Sequence, residues 1–284
     1  MSWEEDKQSW ENWKQIVWVA SYPKSGNTWF RALIDGYYNG QVNINDMKGV
    51  GADNLNLWAR DIDEALTSSP LEMRFYARPY GLFRLVNKYK EKGYDQPLIL
   101  KTHNCLGNVQ GCDLLPIGLT KSIIHIIRDP RDILPSFSNH LGHSLEDTLL
   151  CMQDLNHTLD GSELDKLPDL ISSWDFSARS FRGAPKAVNR LTIRYEDLKK
   201  DTKGWFIKAL EHIGIPVDEQ KVDIAIEAAS LNNLRLQEEL IGFKEQAKKA
   251  KTAFFGGERE KPSQQLLDEV VEAFKDEMQN YGYI

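Results

Sequence analysis

Three groups of residues have the types and spacing needed to handle an anion. The first is the string Tyr22-Pro23-Lys24-Ser25-Gly26-Asn27-Thr28-Trp29. A glycine in a tight loop lets backbone N–H groups turn toward a phosphate, and a helix opening just after it adds partial positive charge. Lys24 brings a full charge, while Ser25, Asn27 and Thr28 bring side-chain donors. A Walker A loop carries Lys and then Ser or Thr directly after its last Gly. Here Lys24 precedes Gly26 and no Gly-Lys-Ser/Thr occurs anywhere, so the loop is P-loop-like without being an NTPase loop. The second group runs from Arg128-Asp129-Pro130-Arg131 to Ser136. An Arg at a strand end and a Ser one or two helical turns later can grip one phosphate together, and Arg does so bidentately. The third is Lys101-Thr102-His103, a cation and an imidazole at another strand end; neutral imidazole suits proton abstraction near pH 7.

These groups need elements to hold them. The apolar run from Ile16 to Tyr22 predicts a buried strand ending at the Lys24 loop, and Thr28 to Tyr38 predicts a helix that Asn27 can cap. Further strands are expected over Pro97–Thr102, Ser122–Ile127 and Leu191–Tyr195, with helices over 202–213 and 263–280, the last opened by Ser263. Strands alternating with helices imply an α/β fold in three layers, a central parallel sheet with helices on both faces. Right-handed crossovers then gather the loops at the C-terminal strand ends on one edge. The polar stretch 230–262, with Lys244, Lys248, Lys249 and Lys251, reads as a solvated helix face or a lid. The pairs Asp61/Asp63 and Glu238/Glu239 read as surface charge, and His140 with His143, three apart, lack an evident third metal ligand.

At this point the chain resembles the sulfotransferases that use 3′-phosphoadenosine-5′-phosphosulfate (PAPS), whose phosphosulfate loop usually reads YPKSGTTW. Asn27 replaces the first Thr of that loop. The resemblance implies a fold related to the P-loop nucleotide kinases, with no metal required. It implies that Lys24 contacts the 5′-phosphate and bridging oxygen, that Ser25, Gly26, Asn27 and Thr28 hold the 5′-phosphate, and that Trp29 lies against the adenine. Arg128 and Ser136 carry over as the 3′-phosphate grip, and His103 as the catalytic base with Lys101 beside it. Arg194-Tyr195-Glu196-Asp197-Leu198 resembles the family's adenine-side segment, so Tyr195 is carried over; Ser230 matches a small adenine contact more loosely. One departure is plain. Where many members follow Phe-Phe with Arg-Lys-Gly, this chain has Phe254-Phe255-Gly256-Gly257-Glu258-Arg259, which leaves Arg259 as a substitute that the match itself does not license. The ending Asn280-Tyr281-Gly282-Tyr283 is similar to that of bacterial sulfotransferases acting on natural products.

Composition sets the remaining bounds. With 284 residues, 41% of them hydrophobic, the chain reads as a single globular domain over 1–284. Within it, 15–40 forms the phosphosulfate-loop unit and 41–96, rich in aromatics such as Trp58, Phe75, Tyr76, Tyr80 and Phe83, an acceptor-side insertion. The net charge of −7 argues against nucleic acid as a partner. The absence of an apolar signal core or a span-length apolar run argues against a membrane. Three cysteines without a CxxC pair point to a reducing, cytoplasmic compartment. The expected activity is sulfuryl transfer from PAPS to a hydroxyl or amine of a small-molecule acceptor, a natural product. A P-loop-type small-molecule kinase and a non-catalytic nucleotide-binding module are the rival readings.

Overall fold

Strand β1, Ile16–Ser21, is buried at every residue and lies at the centre of the molecule. Its β-branched residues favour extended backbone, and their alternate side chains point to opposite faces. Val17 and Val19 enter one core with Phe30, Leu33, Phe206 and Ala225. Trp18 and Ala20 enter a second core with Leu98, Leu100, Ile123 and Phe181. A strand buried on both faces needs a covering layer on each, which is the three-layer arrangement expected. The structure, a computed structural model, describes residues 14–47, 82–83, 85–87, 89–91, 93, 97–109, 111–159 and 169–284. Most of the stretch 41–96, including Arg60, Arg74, Arg78, Trp58, Phe75, Tyr76 and Tyr80, lies outside the described residues, as do Asp61 and Asp63. Phe83 is described and packs against the second core.

In chain order the main sheet gains β2 (Leu98–Thr102), β5 (Thr120–Ile127) and β8 (Arg190–Arg194), following the short hairpin β3 (Asn108–Val109) and β4 (Cys112–Asp113). A second small hairpin pairs β6 (Thr158–Leu159) with β7 (Asp169–Leu170). The sheet order is β2-β1-β5-β8 and every pairing is parallel. Register places Ala20 beside Thr102, Ser21 beside Ile126, and Ile127 beside Arg194. The residues after these strands, Tyr22, His103, Arg128 and Tyr195, therefore leave the sheet along one edge. The chain passes from β1 to β2 on one side and then to β5 on the other, so the crevice for a ligand falls around the end of β1.

The helices around the sheet include α1 (Asn27–Asn39), α2 (Pro130–Leu141), α3 (Leu145–Gln153), α4 (Trp174–Arg182), α5 (Tyr195–Lys200), α6 (Thr202–Ile213), α7 (Glu219–Ala228), α8 (Leu231–Ile241) and α9 (Gln264–Asn280). Local chemistry explains several limits. Asp129 caps α2 by accepting from the Arg131 N–H at 2.9 Å, with Pro130 at the first helical position. Ser263 caps α9 as expected. Gly36, in the body of α1, lets Ala225 of α7 approach; a Cβ there would meet the Ala225 backbone at 3.0 Å. Two expectations need correction. Gly26, at φ 103°, is the N-cap of α1, and Asn27 is already helical. The lysine-rich stretch 244–251 is irregular chain, not a solvated helix face; the helix of this region ends at Ile241.

Candidate functional site

The loop after β1 turns sharply. Lys24 has φ 65° and Gly26 φ 103°, with Ser25 between them. A lysine in the left-handed region is held there by its surroundings at an energetic cost, a pattern that concentrates at functional sites. Gly26 is required by contact as well as by angle, because a Cβ would meet the Tyr195 ring at 2.5 Å. The amides of Asn27 and Thr28 lie at the open end of α1, where a helix leaves N–H groups without intrahelical acceptors. Ser25 is fully buried and its hydroxyl has no partner among the described residues. Asn27 is placed differently. Its amide donates to the Val19 carbonyl at 2.8 Å and to Ser21 Oγ at 3.3 Å, so it ties the loop back onto β1.

Cations converge on this loop. Arg128 donates to the Lys24 carbonyl at 3.0 Å and stacks over Tyr195, 4.6 Å from the ring centroid. Lys24 Nζ stands 3.6 Å over the Phe254 ring. Burial first, then the charges of Arg259, Lys101 and Arg128, pull the Lys24 ammonium down to about 7. So many cations around a buried lysine is costly in the free protein and favourable once an anion joins them. Lys101 and Arg31 share one carboxylate, that of Glu245, at 3.3 and 2.7 Å. Burial alone would raise that carboxyl; the two cations overrule it and hold it at about 2.

His103 lies at the end of β2, against the end of β1. Its Nδ1 is 2.8 Å from the Ser21 carbonyl oxygen. A carbonyl only accepts, so Nδ1 carries the proton and Nε2 is left with its lone pair. Burial, followed by the charge on Lys101, pushes the imidazole down to about 3, against the opposing pull of the Ser21 hydrogen bond. His103 is therefore neutral and oriented, with its Nε2 lone pair unprotonated. Ser136 sits half-buried on α2. His140 lies one turn further on the same helix face. Burial and the charges of Lys24 and Lys101 hold it down at about 4. His143 does not share that face, because Gly142 turns the chain out of α2 at φ 71°.

On the opposite side of the loop, Trp29 is half-buried. Its indole donates to the Ala229 carbonyl at 3.1 Å, and its ring meets Tyr195 edge-on at 5.8 Å. Trp29 and Tyr195 are thus brought together beside Ala229-Ser230. The Ser230 hydroxyl itself caps α8, accepting from the Asn233 N–H at 3.4 Å. The segment after α8 is fastened at several points. Glu238 accepts the Phe254 and Phe255 N–H groups, and Asn139 of α2 bonds the Lys251 and Thr252 backbone. Arg259 turns back onto this loop, donating to the Ala253 and Phe254 carbonyls at 2.8 and 3.1 Å and to the Thr252 hydroxyl. Glu238 is 9% exposed, so reading it as surface charge is wrong; Glu239 is exposed. Sequence reasoning also missed Glu245 and Arg31. Arg31 had a signal: it is three residues after Thr28 on the helix that the loop opens, hence on the same face. Glu245 had none, since its partners are more than a hundred residues away.

A parallel sheet, a strained loop and a cluster of cations at one sheet edge thus come together on an α/β scaffold. Residues 14–280 match the model of the sulfotransferase domain, and the chain belongs to that family. Among relatives, it is 25% identical over 236 residues to sulfotransferase 1A1 of Mus musculus, covering 81% of this chain and 70% of the relative. It is 23% identical over 228 residues to the amine sulfotransferase of Oryctolagus cuniculus, covering 77% and 62%. Two solved structures share the fold. A mouse sulfotransferase complexed with PAP has a TM-score of 0.53 at 17% identity, over 99% of this chain and 90% of that one. Retinol dehydratase in complex with androsterone and inactive cofactor PAP has 0.56 at 17% identity, over 93% and 81%. Among the described residues no helix is long and apolar enough to cross a membrane.

Proposed function

We propose that this sulfotransferase moves a sulfuryl group from PAPS to the hydroxyl or amine of a small-molecule acceptor, a natural product. The observation that carries the reading is the pairing of an oriented, neutral His103 with the cations of the Lys24 loop at one sheet edge. The donor supplies an activated sulfur whose leaving group is the 5′-phosphate of 3′-phosphoadenosine-5′-phosphate (PAP). The acceptor oxygen or nitrogen forms a bond to sulfur as the bond from sulfur to the bridging oxygen breaks. The acceptor proton passes to His103 Nε2, and the electron pair of the broken bond leaves on the phosphate, where Lys24 and the α1 amides neutralise it. Lys101 serves the sulfuryl oxygens. Arg128 and Ser136 hold the 3′-phosphate under the cover of residues 242–262, with Arg259 as a further cation. Trp29, Tyr195 and Ser230 frame the adenine.

Support for a small acceptor comes from the relative named for amines and the neighbour solved with androsterone. A cytoplasmic setting belongs to the same proposal, supported by the free thiols of Cys105 and Cys151. Two measurements test it. PAP is expected to raise Tm more than ADP does, since a ligand of the native state stabilises by mass action, and Arg128→Ala is expected to lose most of that preference. Equal shifts would remove the 3′-phosphate assignment. Labelled PAPS incubated with hydroxyl and amine acceptors is expected to yield a sulfated product. Turnover of ATP with Mg²⁺ instead would establish the kinase reading, and tight PAP binding with no turnover the binding-module reading.

A further inference from the structure

The Asn280-Tyr281-Gly282-Tyr283 ending has no part in the chemistry above, yet it is tied to both phosphate-side turns. Gly282 adopts φ 70° just past α9, and the Tyr283 N–H returns to the Met278 carbonyl at 2.8 Å. This is a Schellman-type stop, which reverses the chain where a helix ends. The reversal lays the Tyr283 ring under Arg194, with the guanidinium carbon 4.4 Å from the ring centroid. It also brings the phenol to Glu196, donating to Oε2 at 3.2 Å. The other oxygen of the same carboxylate accepts the Asp129 N–H at 3.1 Å. Arg131 closes the ring of contacts: it chelates the Asp129 carboxylate and donates to the Tyr283 carbonyl at 3.0 Å.

Asp129 directly follows Arg128, and Glu196 directly follows Tyr195. Tyr283 therefore bridges two turns, each one residue from a group that faces the Lys24 loop. Arg128 and Tyr195 are themselves stacked, so movement of either turn shifts the pair. We propose that Tyr283 is a positioning residue for the 3′-phosphate side of the nucleotide site, fixing the Arg128–Asp129 turn against the Tyr195–Glu196 turn. The proposal rests on the reading that Arg128 meets the 3′-phosphate of the nucleotide.

The test compares PAP with adenosine 5′-monophosphate, which lacks only the 3′-phosphate, by calorimetric titration of the full chain. In Tyr283→Ala the Kd for PAP is expected to rise about tenfold, a loss typical of misplaced supporting contacts, while that for the monophosphate changes much less. Tyr283→Phe keeps the ring under Arg194 and loses only the phenol, so it is expected to recover part of the loss and to stay folded. Equal losses for both nucleotides in the Phe variant, or no loss for either, overturn the proposal and leave the tail a matter of stability. The wild-type arm is read first: binding PAP no tighter than the monophosphate overturns the nucleotide reading itself, and the role of Tyr283 with it.

Discussion

At the scale of single residues, the site works by deciding which atoms carry protons before any ligand arrives. The Ser21 carbonyl fixes the tautomer of His103. Lys24, buried and crowded by like charges, is held down at about 7. An arriving phosphate raises its affinity for a proton, so each stabilises the other. If His103 is the base, removing it touches the chemical step and little else. His103→Ala is expected to lower kcat by about 10²- to 10⁴-fold, the usual range for a general base, with the Kd for PAP nearly unchanged. Near-normal turnover in single-turnover assays would move the base elsewhere, with His140 the next imidazole to try.

At the scale of elements, the segment after α8 is bound into the site by carboxylates. Glu238 receives two backbone N–H groups at Phe254 and Phe255, which sets the ring of Phe254 beneath Lys24. Glu245 joins the segment to α1 and β2 through Arg31 and Lys101. Its carboxyl is depressed from 4.5 to about 2 in the folded chain. The stability it contributes is therefore fully present above pH 4.5 and is lost as pH falls toward 2. After discounting for its quarter exposure, that is about 2 kcal/mol. Glu245→Gln is expected to lower the urea-unfolding free energy by this amount at pH 7, with the gap to wild type closing as pH drops below 4.5. A gap that stays constant in acid would mean that packing, not charge, makes the contribution. These elements also mark where reading the sequence stops. The four parallel strands and α6 and α9 were legible, because their apolar runs and caps are local signals: Ile16–Ser21, Thr202–Ile213 and Ser263 all lie within a residue or two of expectation. The placing of the Lys24 loop and the Arg128 turn at neighbouring strand ends was legible for the same reason. Glu238, Glu245 and the turn at Tyr283 were not, because what they do depends on partners brought near only by the finished fold. Asn27 shows the limit at its sharpest: nothing in its type tells that its side chain braces the loop against β1.

At the scale of the whole molecule, thirty-five lysines and arginines are outnumbered by forty-two acidic residues, for a net charge of −7. Yet the charges of Arg259, Lys101 and Arg128 all bear on the ionisation of Lys24 at a single sheet edge. Arg31 and Lys101, nearby, share the single carboxylate of Glu245, which offsets only one of their two charges. A polyanionic nucleotide diffusing in from afar thus meets repulsion, and meets attraction only inside the last stretch of its path. Dissolved salt shortens the reach of both, but the longer-ranged one suffers first; the screening length is about 30 Å at 0.01 M and about 10 Å at 0.1 M. The association rate constant for PAP, followed by stopped-flow fluorescence, is accordingly expected to rise with the first additions of salt and to fall at higher concentrations. A rate that only falls from the lowest salt upward would show that the cluster's field prevails at every distance. With the expected rise and fall, the protein behaves as a local trap set within an unwelcoming surface, with its traffic in nucleotide tuned by the ionic strength around it.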